Sequence, residues 1–191
     1  MFPGDTSALV AVYGPAEVKL NRELIDRATI DVIYKPKVGL PGCAEKHVEY
    51  TVRSVCESML ITTLHPRSLL SVVIQEVQDS GSFLACCVNA TCLALLDACY
   101  PMRFSVAAVA CSYTSDGQFV LDPVVKQEHN ATSHMTFVFD SLKHDVVTCY
   151  STGVFTPEQY KRAVDACRKA SEAIFKFYRD SVKKKLSKLL P

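Results

Sequence analysis

Between Val77 and Arg103 the chain reads VQDSGSFLACCVNATCLALLDACYPMR, and its character changes twice within that stretch. Val77 closes an apolar run that begins at Leu69 and is apolar on both faces at first, the pattern of a central strand. Asp79-Ser80-Gly81-Ser82 then interrupts it with residues that favour tight turns and helix caps. Beyond the break, Leu84, Val88, Thr91 and Leu95 recur at helical spacing and share one face. The predicted helix is rich in Ala and Cys, small side chains that suit close packing against a sheet. A buried strand that turns directly into an apolar helix belongs to a mixed α/β or α+β domain.

The same alternation continues on both sides. Upstream, Thr6 to Tyr13 is a short apolar run stopped by Gly14-Pro15, and Ile30, Val32 and Tyr34 alternate with Asp31 as a half-buried strand. The loop KPKVGLPG (35–42) follows, and Val48, Val52, Val55 and Met59 then mark a helix ending near His65-Pro66. Downstream, Ser105 to Tyr113 reads as a second buried strand, and Ser115-Asp116-Gly117 as a hairpin turn into Phe119 to Leu121. Met135, Phe137 and Phe139 alternate, and Val146 to Tyr150 is another strand. The last helix is the clearest element. Thr156 suits the N-cap, Pro157 the first helical position and Gln159 a capping box, ahead of a stripe through Tyr160, Val164, Cys167, Ile174 and Tyr178.

A length of 191 residues predicts one domain over 1–191. With 49% hydrophobic and 21% charged residues, disorder is excluded as the chain's general state. A net charge of +1 requires any nucleic-acid contact to come from a local patch. No apolar run reaches the roughly 20 residues that span a bilayer, and MFPGDTSALVAVYG does not read as a signal peptide. The nine cysteines lack paired spacing, so they read as reduced, small apolar residues in a cytosolic or nuclear protein.

Ordinary nucleotide, zinc-protease and hydrolase motifs are absent. Asp79-Ser80-Gly81-Ser82 lies where a strand-to-helix turn aims backbone amides at one point, a ready anion site. The plain reading is a cap and tight turn, since no Arg or Lys lies within it. Glu128, His129 and His134 fall in KQEHNATSH, which reads mainly as a solvated loop, a poor frame for metal ligands. The basic tail Lys183-Lys184-Lys185-Leu186-Ser187-Lys188 reads as a solvated helix end that complements the helix dipole, with phosphate contact as the alternative.

Taken in order, four segments carry a resemblance over nearly the whole chain. These are GDTSALVAVYGPAEV (4–18), VRSVCESMLITTLHPRS (52–68), the stretch from Val77 to Arg103, and SDGQFVLDPVVKQE (115–128). Together they resemble the RNase PH family, with KPKVGLPG and GPAEVKL similar to its ring subunits in the eukaryotic RNA exosome. The resemblance implies an α+β, ribosomal protein S5 domain 2-like fold with a mixed sheet and packed helices. Active members degrade RNA from its 3′ end with inorganic phosphate. Six such subunits form a ring around an RNA channel, joined by cap subunits. On this resemblance the chain is expected to lack the family's first strands.

Residue by residue, the resemblance implies loss of the phosphorolytic site. The family's phosphate loop corresponds to Asp79, Ser80, Gly81 and Ser82, but Phe83 stands where active members carry an arginine. Their two aspartates, six residues apart, correspond to Glu128 and His134. Phosphorolysis holds a phosphate dianion beside an RNA polyanion, which calls for Arg or Lys charge and for an acid or metal at the leaving oxygen. The expected role is therefore a non-catalytic ring subunit without a cofactor, partnered by other ring and cap subunits and by RNA. It would support rRNA processing and mRNA decay in nucleus, nucleolus and cytoplasm. Lys35, Lys37, Arg53 and Arg67 are the expected weak phosphate contacts. Two alternatives remain. One is a residual nuclease acting as a free homodimer, with Glu128, His129, His134 and Asp122 around a divalent metal. The other is a phosphorolytic enzyme whose missing charge comes from a neighbour.

Overall fold

The computed structural model describes residues 6–115 and 117–189. Gly4 and Asp5 of the GDT segment, and Asp116 of the expected hairpin turn, lie outside the described residues. One domain is expected from the length; contacts gather the described residues into two compact units, 6–79 with 86–105, and 80–85 with 106–115 and 117–189. One division falls inside the first turn of a helix and the other two beside strands, just after one at 79/80 and just before another at 105/106, none in a Pro/Gly-rich linker. Composition therefore carries no signal for them.

The first unit is built on a three-stranded sheet. β1 (Ser7–Glu17) pairs antiparallel with β3 (Ser68–Gln78), and β2 (Thr29–Lys35) pairs parallel with β3, giving the order β1-β3-β2. β3 is the central strand, as its apolar run predicts. The parallel pair needs a crossover, which is α1 (Cys43–Met59) packed on β2. Ile30, Val32 and Tyr34 lie opposite Leu70, Val72 and Ile74, and all six are buried. α1 turns Val52, Val55, Cys56 and Met59 inward. Its end comes at Met59, earlier than the proline predicts, because Leu60 takes an extended conformation and bridges to Met102.

The second unit is an antiparallel sheet in the order β5-β4-β6-β7. Its strands are β4 (Val106–Thr114), β5 (Phe119–Leu121), β6 (Ala131–Asp140) and β7 (Val146–Gly153). α4 (Pro157–Leu189) packs on β4 and β6. Tyr160 meets Phe137 edge-on at 5.5 Å, and the Tyr113 hydroxyl donates to the Gln159 carbonyl at 2.9 Å. The expected capping box is present: Gln159 N donates to Thr156 Oγ1 at 3.3 Å, and Thr156 N donates to Gln159 Oε1 at 2.8 Å. α2 (Phe83–Asp97) starts in this unit and continues into the first.

One reading is corrected. KQEHNATSH is not a solvated loop: Val125–His129 is a short helix, α3, and β6 starts at Ala131. Five residues are too few to display a helical period. Val124 N donates to Gln127 Oε1 at 3.1 Å, the return bond of a helix start and the only local signal for it.

Candidate functional site

The turn between β3 and α2 is shaped by the segment that leads into α3. Gly81 has φ +115, and a Cβ there would strike the Pro123 carbonyl oxygen and lie 2.8 Å from Val124 Cα. Glycine is required on both counts. Ser82 follows with φ +54, and its hydroxyl donates to the Pro123 carbonyl at 3.0 Å. Val125 N donates to the Ser80 carbonyl at 3.0 Å. The turn is thus fastened to residues 123–125 by two hydrogen bonds and a close backbone contact.

The same fastening brings three titratable groups to the start of α2. Glu128, on α3, accepts a hydrogen bond from Ser82 N at 2.8 Å through Oε1. His134, on β6, has Nδ1 3.8 Å from that oxygen. Asp122, just past β5, has φ +56, and its backbone N donates to the Ala110 carbonyl at 2.9 Å. Burial pushes the Asp122 carboxyl above its ordinary value, against a hydrogen bond from Ser82 that works the other way, and the nearby Glu128 charge adds to the rise. Burial holds the His134 imidazole below its ordinary value, with Glu128 opposing the shift. Ser112 lies opposite His134 across β4 and β6. The Ser112 and Thr136 hydroxyls and His134 Nδ1 are buried without a hydrogen-bond partner.

The arrangement is acidic where an anion loop needs cations. Phe83, which opens α2 half-buried, offers no charge. The Ser82 amide, which in an open loop would face an incoming anion, already holds the protein's own carboxylate. Glu128 and His134 are brought together as the sequence suggests, whereas His129 closes α3 with its side chain exposed. Among the described residues, no group of three or more His, Cys, Asp or Glu side chains is arranged to hold a metal ion. The contact between Glu128 and Ser82 N is invisible in sequence, because it joins residues 46 positions apart.

The four expected RNA contacts lie in the first unit, in two different states. Arg53, on α1, pairs with Asp31 on β2 at 3.3 Å, and Arg22 approaches the same carboxylate at 3.8 Å. Arg67, with φ +59, pairs with Glu23 at 3.4 Å. Lys35 ends β2 and Lys37 lies in the loop that follows; both are exposed. Just beyond them, Val38 and Leu40 are 86% and 93% exposed.

Two family models match the chain: the 3′ exoribonuclease family, domain 1, over residues 3–101, and domain 2 over residues 105–170. The exosome complex exonuclease RRP46 homologue of Arabidopsis thaliana is 33% identical over 202 residues, covering 97% of this chain and 84% of that protein. The exosome complex component Rrp41 of Thermococcus gammatolerans is 29% identical over 195 residues, covering 97% and 78%. Among solved structures, rice (Oryza sativa) Rrp46 matches with a TM-score of 0.88 at 33% identity, over 94% of this chain and 85% of that one. The Archaeoglobus fulgidus exosome with RNA bound to its active site matches at a TM-score of 0.76 over 92% and 80%; its 15% identity makes this a likeness of fold.

Proposed function

The chain belongs to the 3′ exoribonuclease family of RNase PH type, and from that premise we propose that it is a non-catalytic ring subunit of an RNA exosome. It supports 3′-to-5′ processing and degradation of RNA, including rRNA processing and mRNA decay, in nucleus, nucleolus and cytoplasm. Its partners are other RNase PH-like ring subunits, cap subunits and RNA. The observation that carries the reading is the Glu128 carboxylate seated on Ser82 N at 2.8 Å, beside an α2 that opens with Phe83. A phosphate dianion at this turn would meet carboxylates at Glu128 and Asp122 and no arginine in the turn, the reverse of what phosphate binding needs. Of the four expected cations, Lys35 and Lys37 make the RNA contacts; Arg53 and Arg67 are held by carboxylates and serve the fold.

The test is a phosphorolysis assay on the purified chain, with labelled oligoribonucleotide and inorganic phosphate. No nucleoside diphosphate above background is expected. Diphosphate formation that disappears in Glu128→Ala would overturn the reading. A parallel arm with Mg²⁺ or Mn²⁺ and no phosphate addresses the metal-dependent nuclease, which the closeness of Glu128 to His134 keeps in view. Hydrolysis there that is lost in both Glu128→Ala and His134→Ala would replace the structural role with an enzymatic one.

A further inference from the structure

α4 runs on after its packing ends. Among the described side chains the last buried one is Tyr178, and every side chain from Arg179 to Lys188 is exposed. The family's domain 2 model stops at residue 170, so the exposed part belongs to a continuation of the helix beyond the matched family domain. At about 1.5 Å per residue, the continuation past Tyr178 extends roughly 15 Å. It carries Arg179, Lys183, Lys184, Lys185 and Lys188 against the single carboxylate of Asp180, within a chain whose net charge is only +1. Five cations against one carboxylate give this end of the helix a local charge of +4, above the +1 of the whole chain.

The helix dipole does not account for that concentration. Its effect is confined to the last turn, where Lys188 is the only cation. Lys183 and Lys184 lie farther back, and Lys184 and Lys188 have the i,i+4 spacing at which like charges weaken a helix. The apolar residues do not suit a membrane surface either. Phe177 and Leu186 are 52% and 53% exposed and, nine positions apart, lie on opposite sides of the helix; Val182, 37% exposed, joins Leu186 in a narrow stripe, so no broad apolar face forms among the described side chains. A protein partner is also a poor match, because the centres of such interfaces are depleted in lysine. Lysines that stay hydrated while offering point charges fit a phosphate backbone.

We propose that the exposed C-terminal part of α4, through Lys183, Lys184 and Lys188, is a binding site for the phosphate backbone of single-stranded RNA. The choice of RNA over DNA rests on the proposed function; the site itself rests on charge and exposure. Contacts of this kind are independent of sequence and weaken steeply with salt.

The test measures binding of the full chain to single-stranded RNA across a salt series, with single-stranded DNA of matching sequence and vesicles containing anionic lipid as further arms. Replacing Lys183, Lys184 and Lys188 with alanine should weaken RNA binding and make the log–log salt slope shallower by about 2, from about 0.7 per lost single-strand contact. Replacing the same three with arginine should restore both. Alanine favours helix, so circular dichroism should show undiminished helicity in the alanine variant. An unchanged slope in that variant would overturn the site, as would an arginine variant as weak as the alanine one. Vesicle binding that depends on these lysines while RNA binding does not would assign the helix to a membrane and overturn it as well. Equal dependence with DNA and RNA supports a phosphate-backbone site. Phosphorolytic activity of the wild-type chain, measured separately, would overturn the non-catalytic reading and leave the salt slopes as they stand.

Discussion

At Gly81 two constraints coincide: a backbone at φ +115, and no room for a Cβ against Pro123 and Val124. Gly81→Ala should therefore cost about 2–4 kcal/mol, the combined scale of left-handed strain and overpacking. Urea denaturation with an unchanged slope would measure it, and a loss below 0.5 kcal/mol would show that the turn relaxes. His134 gives a prediction of a different kind. Its folded-state value is depressed, so the unfolded chain takes up a proton first as pH falls through the unfolded imidazole's range, around 6.5. Stability contributed by neutral, buried His134 is thus present above that range and is lost as pH drops below it. Asp122 has the opposite sign: its raised carboxyl regains protons in the folded state at lower pH and offsets part of the loss. Between pH 7.5 and 5.5 the melting temperature of wild type should fall more than that of His134→Gln; parallel curves would remove His134 as the titrating group. At this scale the sequence located the turn, since that is a matter of residue identity. It did not reveal that Glu128 reaches the Ser82 amide, because the reach depends on α3 holding the carboxylate in place.

Elements with a long hydrophobic period were legible. β2, β3, β4 and α1 fall where alternation or helical spacing puts them, and α4 starts at the Thr156 and Gln159 signals. Thr156→Ala removes the hydroxyl that accepts from Gln159 N and should cost about 1 kcal/mol, measured as a shifted midpoint in chemical denaturation. An effect within a few tenths would mean that packing of Tyr160 on Phe137 alone fixes the helix start. What escaped the sequence has a physical reason in each case. α3 is too short to show a period, and it is stabilised at its start by one side-chain return from Gln127. α1 ends early through a long-range bridge between Leu60 and Met102, and no local residue announces such a bridge. The two-unit organisation has no Pro/Gly-rich linker to mark it, since α2 itself passes from one unit into the other.

For the molecule as a whole, charge is the informative quantity. A net charge of +1 conceals an uneven distribution in which many cations are already matched. Arg22 and Arg53 share Asp31, Arg67 holds Glu23, and Lys46 holds Glu49 at 2.7 Å. Lys35 and Lys37 stand apart from these pairs, on an exposed strand end and the loop beyond it, next to the exposed Val38 and Leu40. Cations in that position can form contacts with a polymer at little desolvation cost, whereas an arginine already bound to a carboxylate must first give that contact up. In an assembled ring, Lys35→Ala with Lys37→Ala should therefore weaken RNA binding uniformly across sequences and make the salt slope shallower by about 1.4, at about 0.7 per single-strand contact. Arg53→Ala should instead lower stability, because it leaves Asp31 with only the longer contact to Arg22, and should change the salt slope little. If the double lysine variant bound with unchanged affinity and slope, the loop would lie off the RNA path. A loss confined to Arg53→Ala would mean that the ion pair with Asp31 opens when RNA arrives and that the arginine makes the contact assigned here to the lysines.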